Sequence, residues 1–399
     1  MRILKLLLLW YFVIAGLALH VVFGAVWVLK PDLVWTARER VSAFLTGTGH
    51  LPLLAAVDPG RERLSDDLVF SRIPAWRPRP GGPDAPPPGS ARIGTRLFAS
   101  AQAAADALTP GATLDIGEGI YKSPLIIRVS NVRIRGHGHV VFEKGTARGK
   151  GSLVVAADNV RISDIECREI AVPDGNGACI RFEGRNLAVE RVYFHDAQQG
   201  ILTGSNPGLV DIRASRFERL GHRGQAHGIY IGGGRLAIAD SLFLAARGEG
   251  HEIKTRAAET TIVRSVVASL NGVDSRLIDA PNGGVLTITD SLLFEGPDTA
   301  NSDVIGFGLE TGLGHHPADR VVLRNNLIVL DREGSVRLLH LVDERMQVEV
   351  GGNRIVARNA TPYDKTNVLF KNRKAAGLAP YPALPWERLP LGGTGRDGP

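Results

Sequence analysis

Short apolar and polar stretches alternate from about Thr113 to Ala360, and Gly, Asn and Asp separate them. Two alternations recur in each unit, and a Ser or Asn follows the second. Successive Ser/Asn positions are 26, 24, 26, 35 and 27 residues apart, which is the period of one coil of a parallel β-helix. These positions are Ser215, Ser241, Ser265, Ser291, Asn326 and Asn353. The pattern predicts an all-β, right-handed parallel β-helix (a solenoid) in which stacked Ser/Asn side chains form a structural ladder.

The residues that flank the repeat predict additional elements. Thr95 to Leu108 has Ala-rich helical spacing and is followed by Pro110-Gly111, so we expect an N-terminal cap helix on the open end of the solenoid. Proline is dense before it, which favours an extended spacer. The predicted organisation is a membrane anchor over 1–30, a Pro-rich stalk or spacer over 31–90, the β-helix domain over 91–371 and a C-terminal tail over 372–399.

The N-terminal segment from Leu6 to Leu29 is apolar apart from His20. As a helix it would span about 36 Å at roughly 1.5 Å per residue, enough for a tilted transmembrane helix. Arg2 and Lys5 precede it, and no small-residue cleavage site follows. We therefore expect an uncleaved anchor, residues 3–29, that crosses a bacterial inner membrane once and leaves the β-helix on the periplasmic side.

Charge and cysteine content restrict the partners. The net charge is +6 with a pI near 9.5, but acidic and basic residues are interspersed. This favours an acidic polysaccharide over nucleic acid as partner. Cys167 and Cys179 do not form a metal-like pair, and we expect two small buried hydrophobic residues, with one disulfide as the alternative in an oxidising compartment.

The first alternation of each coil aligns on an inward apolar residue, and the next residue then faces outward. The inward residues are Ile180, Ile201, Ile229, Ile253, Ile278, Ile305 and Leu339. The outward column is Arg181, Leu202, Tyr230, Lys254, Asp279, Gly306 and His340. Tyr230, Lys254 and Asp279 should therefore stand on adjacent strands, about 4.8 Å apart per step.

Further polar residues converge on this face. Glu252 and Arg256 lie two positions before and after Lys254, which predicts the same orientation. Cross-strand ion pairs on a solvated face are the alternative interpretation, but the density of ionisable residues favours a functional site. The candidate catalytic residues are Tyr230, Lys254, Asp279 and His251, and the candidate substrate-binding residues are Arg256, Glu252, His227, Arg276, Asn282, Asn301 and Glu310. We assign no metal ligand, and a divalent cation such as calcium at Asp279 stays open.

Residues 226–310 resemble a pattern in bacterial β-helix repeat proteins of the pectate-lyase-like superfamily. The resemblance lies in the runs Ala226-His-Gly-Ile-Tyr-Ile, Gly250-His-Glu-Ile-Lys-Thr-Arg-Ala and Ser275-Arg-Leu-Ile-Asp-Ala-Pro-Asn-Gly-Gly, with Asn301 and Gly308-Leu-Glu. It implies a right-handed parallel β-helix and a sugar polymer as substrate class. The Arg-x-x-Pro-x-x-Arg stretch of pectate lyases, their acidic calcium cluster and the Asp-Pro-His motif of mannuronan epimerases are absent from the sequence. The reaction is therefore left open.

A polysaccharide lyase or epimerase acting on a uronic-acid polymer is the first hypothesis. Elimination needs the substrate carboxylate neutralised, a base and an acid. Arg256 suits the carboxylate, Lys254 or His251 the base, and Tyr230 the acid. Repulsion from Arg256 should lower the pKa of Lys254 and favour its role as a base, although Asp279 opposes this.

Two alternatives remain. A glycoside hydrolase needs two carboxyl groups about 5 to 9.5 Å apart, which Asp279 with Glu252 or Glu310 would supply. A non-catalytic module that binds or exports a polysaccharide needs only the polar face. In every case we expect Lys254→Ala and Asp279→Ala to cost within about 1 kcal/mol of stability, as surface changes do. Ile253→Ala should cost about 2 to 5 kcal/mol.

Overall fold

The computed structural model describes residues 63–334, 336–359 and 363–385. Short strands, taken in turn along the chain, form three sheets in which nearly every pairing is parallel. The fold is an all-β parallel β-solenoid of the right-handed type, with about nine turns. The predicted parallel β-helix architecture is confirmed.

The strands are numbered β1 to β32 in chain order. Sheet A consists of β1 (Ala91–Ile93), β2 (Arg96–Phe98), β3 (Thr113–Ile116), β6 (Val132–Gly136), β9 (Val160–Ser163), β12 (Leu187–Glu190), β15 (Leu209–Arg213), β18 (Arg235–Ala239), β21 (Glu259–Val263), β24 (Val285–Thr289), β27 (Arg320–Arg324) and β30 (Gln347–Gly351). Strand β1 pairs antiparallel with β2 and β3, and the other pairings of this sheet are parallel.

Sheets B and C complete each coil. Sheet B consists of β4 (Gly119–Tyr121), β7 (Val140–Glu143), β10 (Glu166–Arg168), β13 (Tyr193–His195), β16 (Arg216–Glu218), β19 (Leu242–Leu244), β22 (Val266–Ala268), β25 (Leu292–Glu295), β28 (Leu327–Leu330), β31 (Arg354–Val356) and β32 (Val368–Phe370). Sheet C consists of β5 (Leu125–Ile127), β8 (Gly151–Val155), β11 (Ala178–Phe182), β14 (Gln199–Thr203), β17 (Ile229–Ile231), β20 (Ile253–Thr255), β23 (Ile278–Ala280), β26 (Asp303–Phe307) and β29 (Arg337–Leu341).

The predicted Ser/Asn ladder lies at the turn from sheet A to sheet B. The Ser241 and Ser265 hydroxyl oxygens accept hydrogen bonds from the backbone N–H of Ser215 and Ser241, at 3.2 Å each. Asn326 and Asn353 continue the same contacts further along the solenoid. All six ladder side chains are buried. The ladder satisfies one buried backbone donor per coil and fixes the coil spacing, so its structural role is confirmed.

Two short helices lie near the N-terminal end of the described chain. Helix α1 spans Asp66–Phe70 and helix α2 spans Ala101–Asp106. The Ser100 hydroxyl caps α2 by accepting a hydrogen bond from the Ala103 backbone N–H. Buried alanines of α2 join the core at the first coils, which confirms the cap helix. The helix is shorter than predicted, because β2 occupies the beginning of the expected segment.

A disulfide joins Cys167 on β10 to Cys179 on β11. Both cysteines are fully buried, and their Cα atoms are 5.8 Å apart. The expectation of two free buried cysteines is therefore wrong. Both side chains point inward from consecutive strands, and the solenoid brings them within bonding distance across the core.

The outer face of sheet B is apolar and covered from β19 onward. Residues 63–76, which we call the strap, lie within the predicted spacer but run along this face. Val69 and Ile73 of the strap pack against a cluster on it that includes Leu242, Leu244 and Val266. The Arg216 guanidinium also donates a 2.7 Å hydrogen bond to the Pro74 carbonyl. Ala376, Leu378 and Leu384, in the predicted C-terminal tail, belong to the same cluster.

The predicted membrane anchor lies outside the described residues. No helix in the described part of the chain is long and apolar enough to cross a membrane. The anchor therefore stays a prediction.

Candidate functional site

The predicted columns lie on sheet C. Each inward residue pairs with the next in the predicted register from Ile180 to Leu339, and all seven are buried. The residue after each anchor pairs likewise, so Tyr230 stands beside Lys254 and Lys254 beside Asp279. The alignment of the repeat is thus confirmed.

One carboxylate bridges two cations at the centre of this face. Lys254 Nζ donates a 2.6 Å hydrogen bond to Glu310 Oε1, and Arg256 donates to Glu310 Oε2. Arg256 also donates to the Tyr230 hydroxyl oxygen, at 2.7 Å, and to the Asn282 side-chain oxygen. The Glu310 side chain is 42% exposed, so the bridge lies at the surface. Lys254 and Arg256 therefore form a carboxylate-binding pair.

Glu310 belongs to the long connection between β26 and β27, which accounts for the 35-residue step in the repeat. The backbone N–H groups of Glu310 and Thr311 donate to the Pro281 carbonyl, at 3.2 and 3.3 Å. The Asp319 carboxylate accepts 2.7 Å hydrogen bonds from the backbone N–H of Gly284 and Gly314. These contacts hold the loop against the edge of sheet C and carry Glu310 to the two cations.

Lys254 is an ammonium group in this setting. Burial lowers its pKa, but Asp279 and Glu310 raise it by more, and the net pKa lies above the usual value. Burial raises the pKa of Glu310, but Lys254 and Arg256 lower it by more, so this group is a carboxylate. The expectation that repulsion from Arg256 lowers the pKa of Lys254 is therefore wrong, and a role of Lys254 as a base stays a prediction. Glu310 is the second carboxylate beside Lys254, and it outweighs the repulsion from Arg256.

Asp279 lies beneath the exposed part of the site. Its side chain is 3% exposed, and its carboxylate lies 3.3 Å from Arg276 NH1 and 3.4 Å from Lys254 Nζ. His251 Nε2 is 3.5 Å away. Asp279 thus lies close to three nitrogen-bearing side chains and is almost completely shielded from solvent. Its predicted catalytic role stays a prediction.

His227 and His251 are stacked within the site, with ring centroids 4.9 Å apart. His227 Nδ1 accepts a 3.0 Å hydrogen bond from the His251 backbone N–H, and His251 Nδ1 accepts one of 3.2 Å from the Arg276 backbone N–H. Burial lowers the pKa of both imidazoles well below the usual value. Each ring is therefore neutral with its proton on Nε2. His251 faces Asp279 as a donor, so its predicted role as a base is not supported.

Glu252 does not share the face of Lys254. Strand β20 begins at Ile253, so Glu252 lies in the preceding turn, where strand alternation does not apply. Its side chain is buried, and its carboxylate accepts a 2.6 Å hydrogen bond from the Ala246 backbone N–H. Burial, and next the charge of Asp274, raise the pKa of Glu252. We call Glu252, Asp274 and Glu295, all fully buried near the turns into sheet C, the buried carboxyl cluster.

The charged network extends past Asp279 to residues that were not predicted to belong to the site. Arg276 NH2 lies 3.6 Å from Asp303 Oδ2, which also accepts a 2.6 Å hydrogen bond from His340 Nδ1. Arg337 Nε donates to Asp303 Oδ1, at 3.1 Å. The repeat alignment could have indicated these residues, because His340 belongs to the outward column and Asp303 pairs in register with Arg337. Asn301 lies at the edge of this network, where its side-chain oxygen accepts a 3.0 Å hydrogen bond from the Asp303 backbone N–H.

Glycine leaves room for the Arg276 side chain. A Cβ on Gly306 would lie 2.8 Å from Asp279 Oδ1 and 3.0 Å from Arg276 Nε. A larger residue at this position would therefore require the Asp279 and Arg276 side chains to shift. Among the described residues, no group of three or more His, Cys, Asp or Glu side chains is arranged to hold a metal ion.

Comparisons with solved structures found chains that are 12 to 15% identical to this one. No protein-family model and no curated protein sequence matches the chain. Pectate lyase Pel9A is 15% identical with a TM-score of 0.40, covering 71% of this chain and 76% of its own. A mutant of the PL6 family alginate lyase AlyGC is 12% identical with a TM-score of 0.36, over 67% of this chain and 51%, or about half, of the lyase. A pectin methylesterase mutant in complex with a hexasaccharide is 12% identical with a TM-score of 0.35, over 70% of this chain and 90% of its own.

Proposed function

We propose that this chain is a carbohydrate-active protein that binds the carboxylate of a uronic-acid polymer between Lys254 and Arg256. The observation that carries the proposal is the position of Glu310, a carboxylate of the protein itself, which hydrogen-bonds to both cations. A uronate group has the same acceptor geometry and displaces Glu310 from the pair.

The reaction that suits this arrangement is elimination or epimerisation. Lys254 and Arg256 neutralise the bound carboxylate and make the proton on the adjacent carbon more acidic. Glu310, once displaced, is an unprotonated group beside that carbon and takes the proton. In elimination the electron pair forms the carbon–carbon double bond as the glycosidic bond breaks, and Tyr230 donates its proton to the leaving oxygen. In epimerisation Tyr230 instead donates its proton to the opposite face of the same carbon.

A specific observation favours polysaccharide binding without turnover as a second candidate. Lys254, Arg256 and His251 all hold protons, and the pKa of Glu310 is lowered, which makes it a weak base. Glycoside hydrolysis is not supported, because Asp279 and Glu252 are both buried away from the surface.

Incubating the protein with a panel of uronic-acid polymers tests the proposal. Ultraviolet absorbance detects unsaturated ends, magnetic resonance detects the epimer ratio, and calorimetry detects binding. We expect Lys254→Ala and Arg256→Ala to abolish binding and turnover, and Arg161→Ala, an exposed arginine on sheet A, to change neither. Binding that survives in both site variants, or no binding of any uronate polymer, would contradict the proposal.

The cellular setting that we propose is the periplasmic side of a bacterial inner membrane, with residues 3–29 as the anchor. The disulfide between Cys167 and Cys179 supports an oxidising compartment, because structural disulfides persist there and are rare in the bacterial cytoplasm.

A further inference from the structure

A second group of cations lies on the same face of sheet C, three strands before Lys254. Arg181 occupies the outward column on β11, and Lys150 precedes β8 on the adjacent coil. Lys150 forms an ion pair with Glu183, and Arg181 Nε lies 3.6 Å from the same carboxylate. Lys150 is 38% exposed, Arg181 25% and Glu183 23%, so all three reach the surface.

The arrangement repeats that of the first site. A lysine and an arginine again share one glutamate carboxylate, here Glu183 in place of Glu310. Arg181 Nε is buried and makes no hydrogen bond within the described part of the chain, so the arginine faces Glu183 through charge alone. Lys150 and Arg181 carry two positive charges against the single negative charge of Glu183, so the group as a whole attracts an anion.

The floor between the two cation pairs is uncharged. In the outward column, Leu202 and Tyr230 lie between Arg181 and Lys254. Two residues after this column on each coil lies a second outward column, in which Gly204 and Gly232 occupy the positions between Glu183 and Arg256. A Cβ on Gly204 would meet nothing within 4 Å, so the surface above it is open. Arg181 and Lys254 are three strand steps apart, or about 14 Å, along a lane in which Leu202 is 8% exposed and Tyr230 is half-buried.

We propose that Arg181 and Lys150 form a second anionic subsite, which binds another carboxylate of the same uronic-acid chain. The polymer then lies along the solenoid axis, with its sugar rings over Leu202 and Tyr230 and a carboxylate at each end of the lane. This inference rests on the proposed function and adds the direction of the chain and a minimum ligand length. Glu183 competes with the ligand at this subsite.

Calorimetric titration of the full chain with oligouronates of increasing length tests the subsite. Arg181→Ala and Lys150→Ala should each weaken binding of long oligomers by about tenfold, the loss of one charge-assisted hydrogen bond. Binding of the shortest oligomers, which span only the Lys254 and Arg256 pair, should not change. Glu183→Gln should have the opposite effect and strengthen binding of long oligomers. Arg161→Ala is the matched control, and thermal melting of each variant checks that it is folded.

The outcomes separate the two proposals. If short oligomers bind but Arg181→Ala and Lys150→Ala leave the affinity for long ones unchanged, the subsite is overturned and the proposed function stands. An equal loss for short and long oligomers in a folded variant also overturns the subsite, since the residues then act on the first site. If no oligouronate binds the unmodified protein, both proposals fail.

Discussion

Asp279 and Lys254 differ in how deeply each side chain is buried, and therefore in how much each contributes to stability. Asp279 is 2% exposed as a residue and contacts Lys254, Arg276 and His251. Removal of one partner from a buried ion pair is costly, because the other charges then lack compensation. Lys254 lies above Asp279 and reaches Glu310 at the surface, so its loss leaves Asp279 with Arg276. The sequence pattern gave both residues the same outward direction and could not distinguish their depths.

We expect Asp279→Ala to cost about 3 to 5 kcal/mol of unfolding free energy, as much as the cavity variant Ile253→Ala. This replaces the small cost that the sequence suggested. Lys254→Ala should cost clearly less, about 1 to 2 kcal/mol, while abolishing uronate binding. Urea unfolding of the three variants measures the difference. An Asp279→Ala protein as stable as the parent would show that the buried network does not support the fold.

At the scale of elements, residues within strands were predictable and residues in turns were not. The period of the repeat gave the correct register from Ile180 to Leu339, because parallel strands stack equivalent residues in adjacent coils. Glu252 was misplaced because the alternation was extended one residue before β20. Glu310 was found as a residue of the site, but its contacts depend on a long loop that no period describes. The Cys167–Cys179 disulfide was missed because sequence spacing does not report the distance between two strands across the core.

The buried carboxyl cluster predicts how the turns into sheet C respond to pH. Burial raises the pKa of Asp274 to about 7, and burial also raises those of Glu252 and Glu295. The Ser269 hydroxyl donates a 2.8 Å hydrogen bond to Asp274 and partly offsets the shift. Because an unfolded aspartate has a pKa of about 3.9, the folded chain holds more protons between pH 4 and 7, approximately.

The contribution of Asp274 to stability should therefore fall as pH rises through that window, whereas buried His227 and His251, whose pKa values are lowered, contribute in the opposite direction. Asp274→Asn removes the ionisation and keeps the shape, so the difference in unfolding free energy between this variant and the parent should rise with pH and favour the variant at alkaline pH. Urea unfolding at mildly acidic and mildly alkaline pH gives both values. A parent protein that gains stability on going from acid to alkaline pH, with an identical slope in Asp274→Asn, would contradict this assignment.

At the scale of the whole molecule, the apolar outer face of sheet B determines where the folded domain begins. The strap buries Val69 and Ile73 against this face, and the Asn271 side chain donates hydrogen bonds of 2.9 and 2.8 Å to the Leu64 carbonyl and the Asp66 carboxylate. Proline density correctly excluded helix and strand from residues 74–88, but it did not indicate helix α1 in the strap. It could not show that an extended segment packs against the solenoid, because that contact joins residues about 200 positions apart.

Two shortened chains test the role of the strap. A chain that begins at residue 63 should fold with the stability of the full chain. A chain that begins at residue 90 uncovers Leu242, Leu244 and Val266, and should melt at lower temperature and aggregate. Thermal melting with light scattering measures both effects. Equal melting temperatures and solubility for the two chains would mean that the strap contacts sheet B without stabilising the fold.

Comparison of the full chain with the chain from residue 63 also tests the membrane segment, which is predicted from the sequence alone. Residues 6–29 are long and apolar enough to hold the full chain in a bilayer, whereas the chain from residue 63 lacks them and keeps the strap. The full chain should therefore sediment with membranes and resist alkaline carbonate extraction, and the chain from residue 63 should stay in the supernatant. Protease added to spheroplasts should digest the solenoid if it lies on the periplasmic side. Release of a shortened soluble form during normal expression would show that the segment is a cleaved signal peptide, and protection of the solenoid from protease would reverse the predicted orientation.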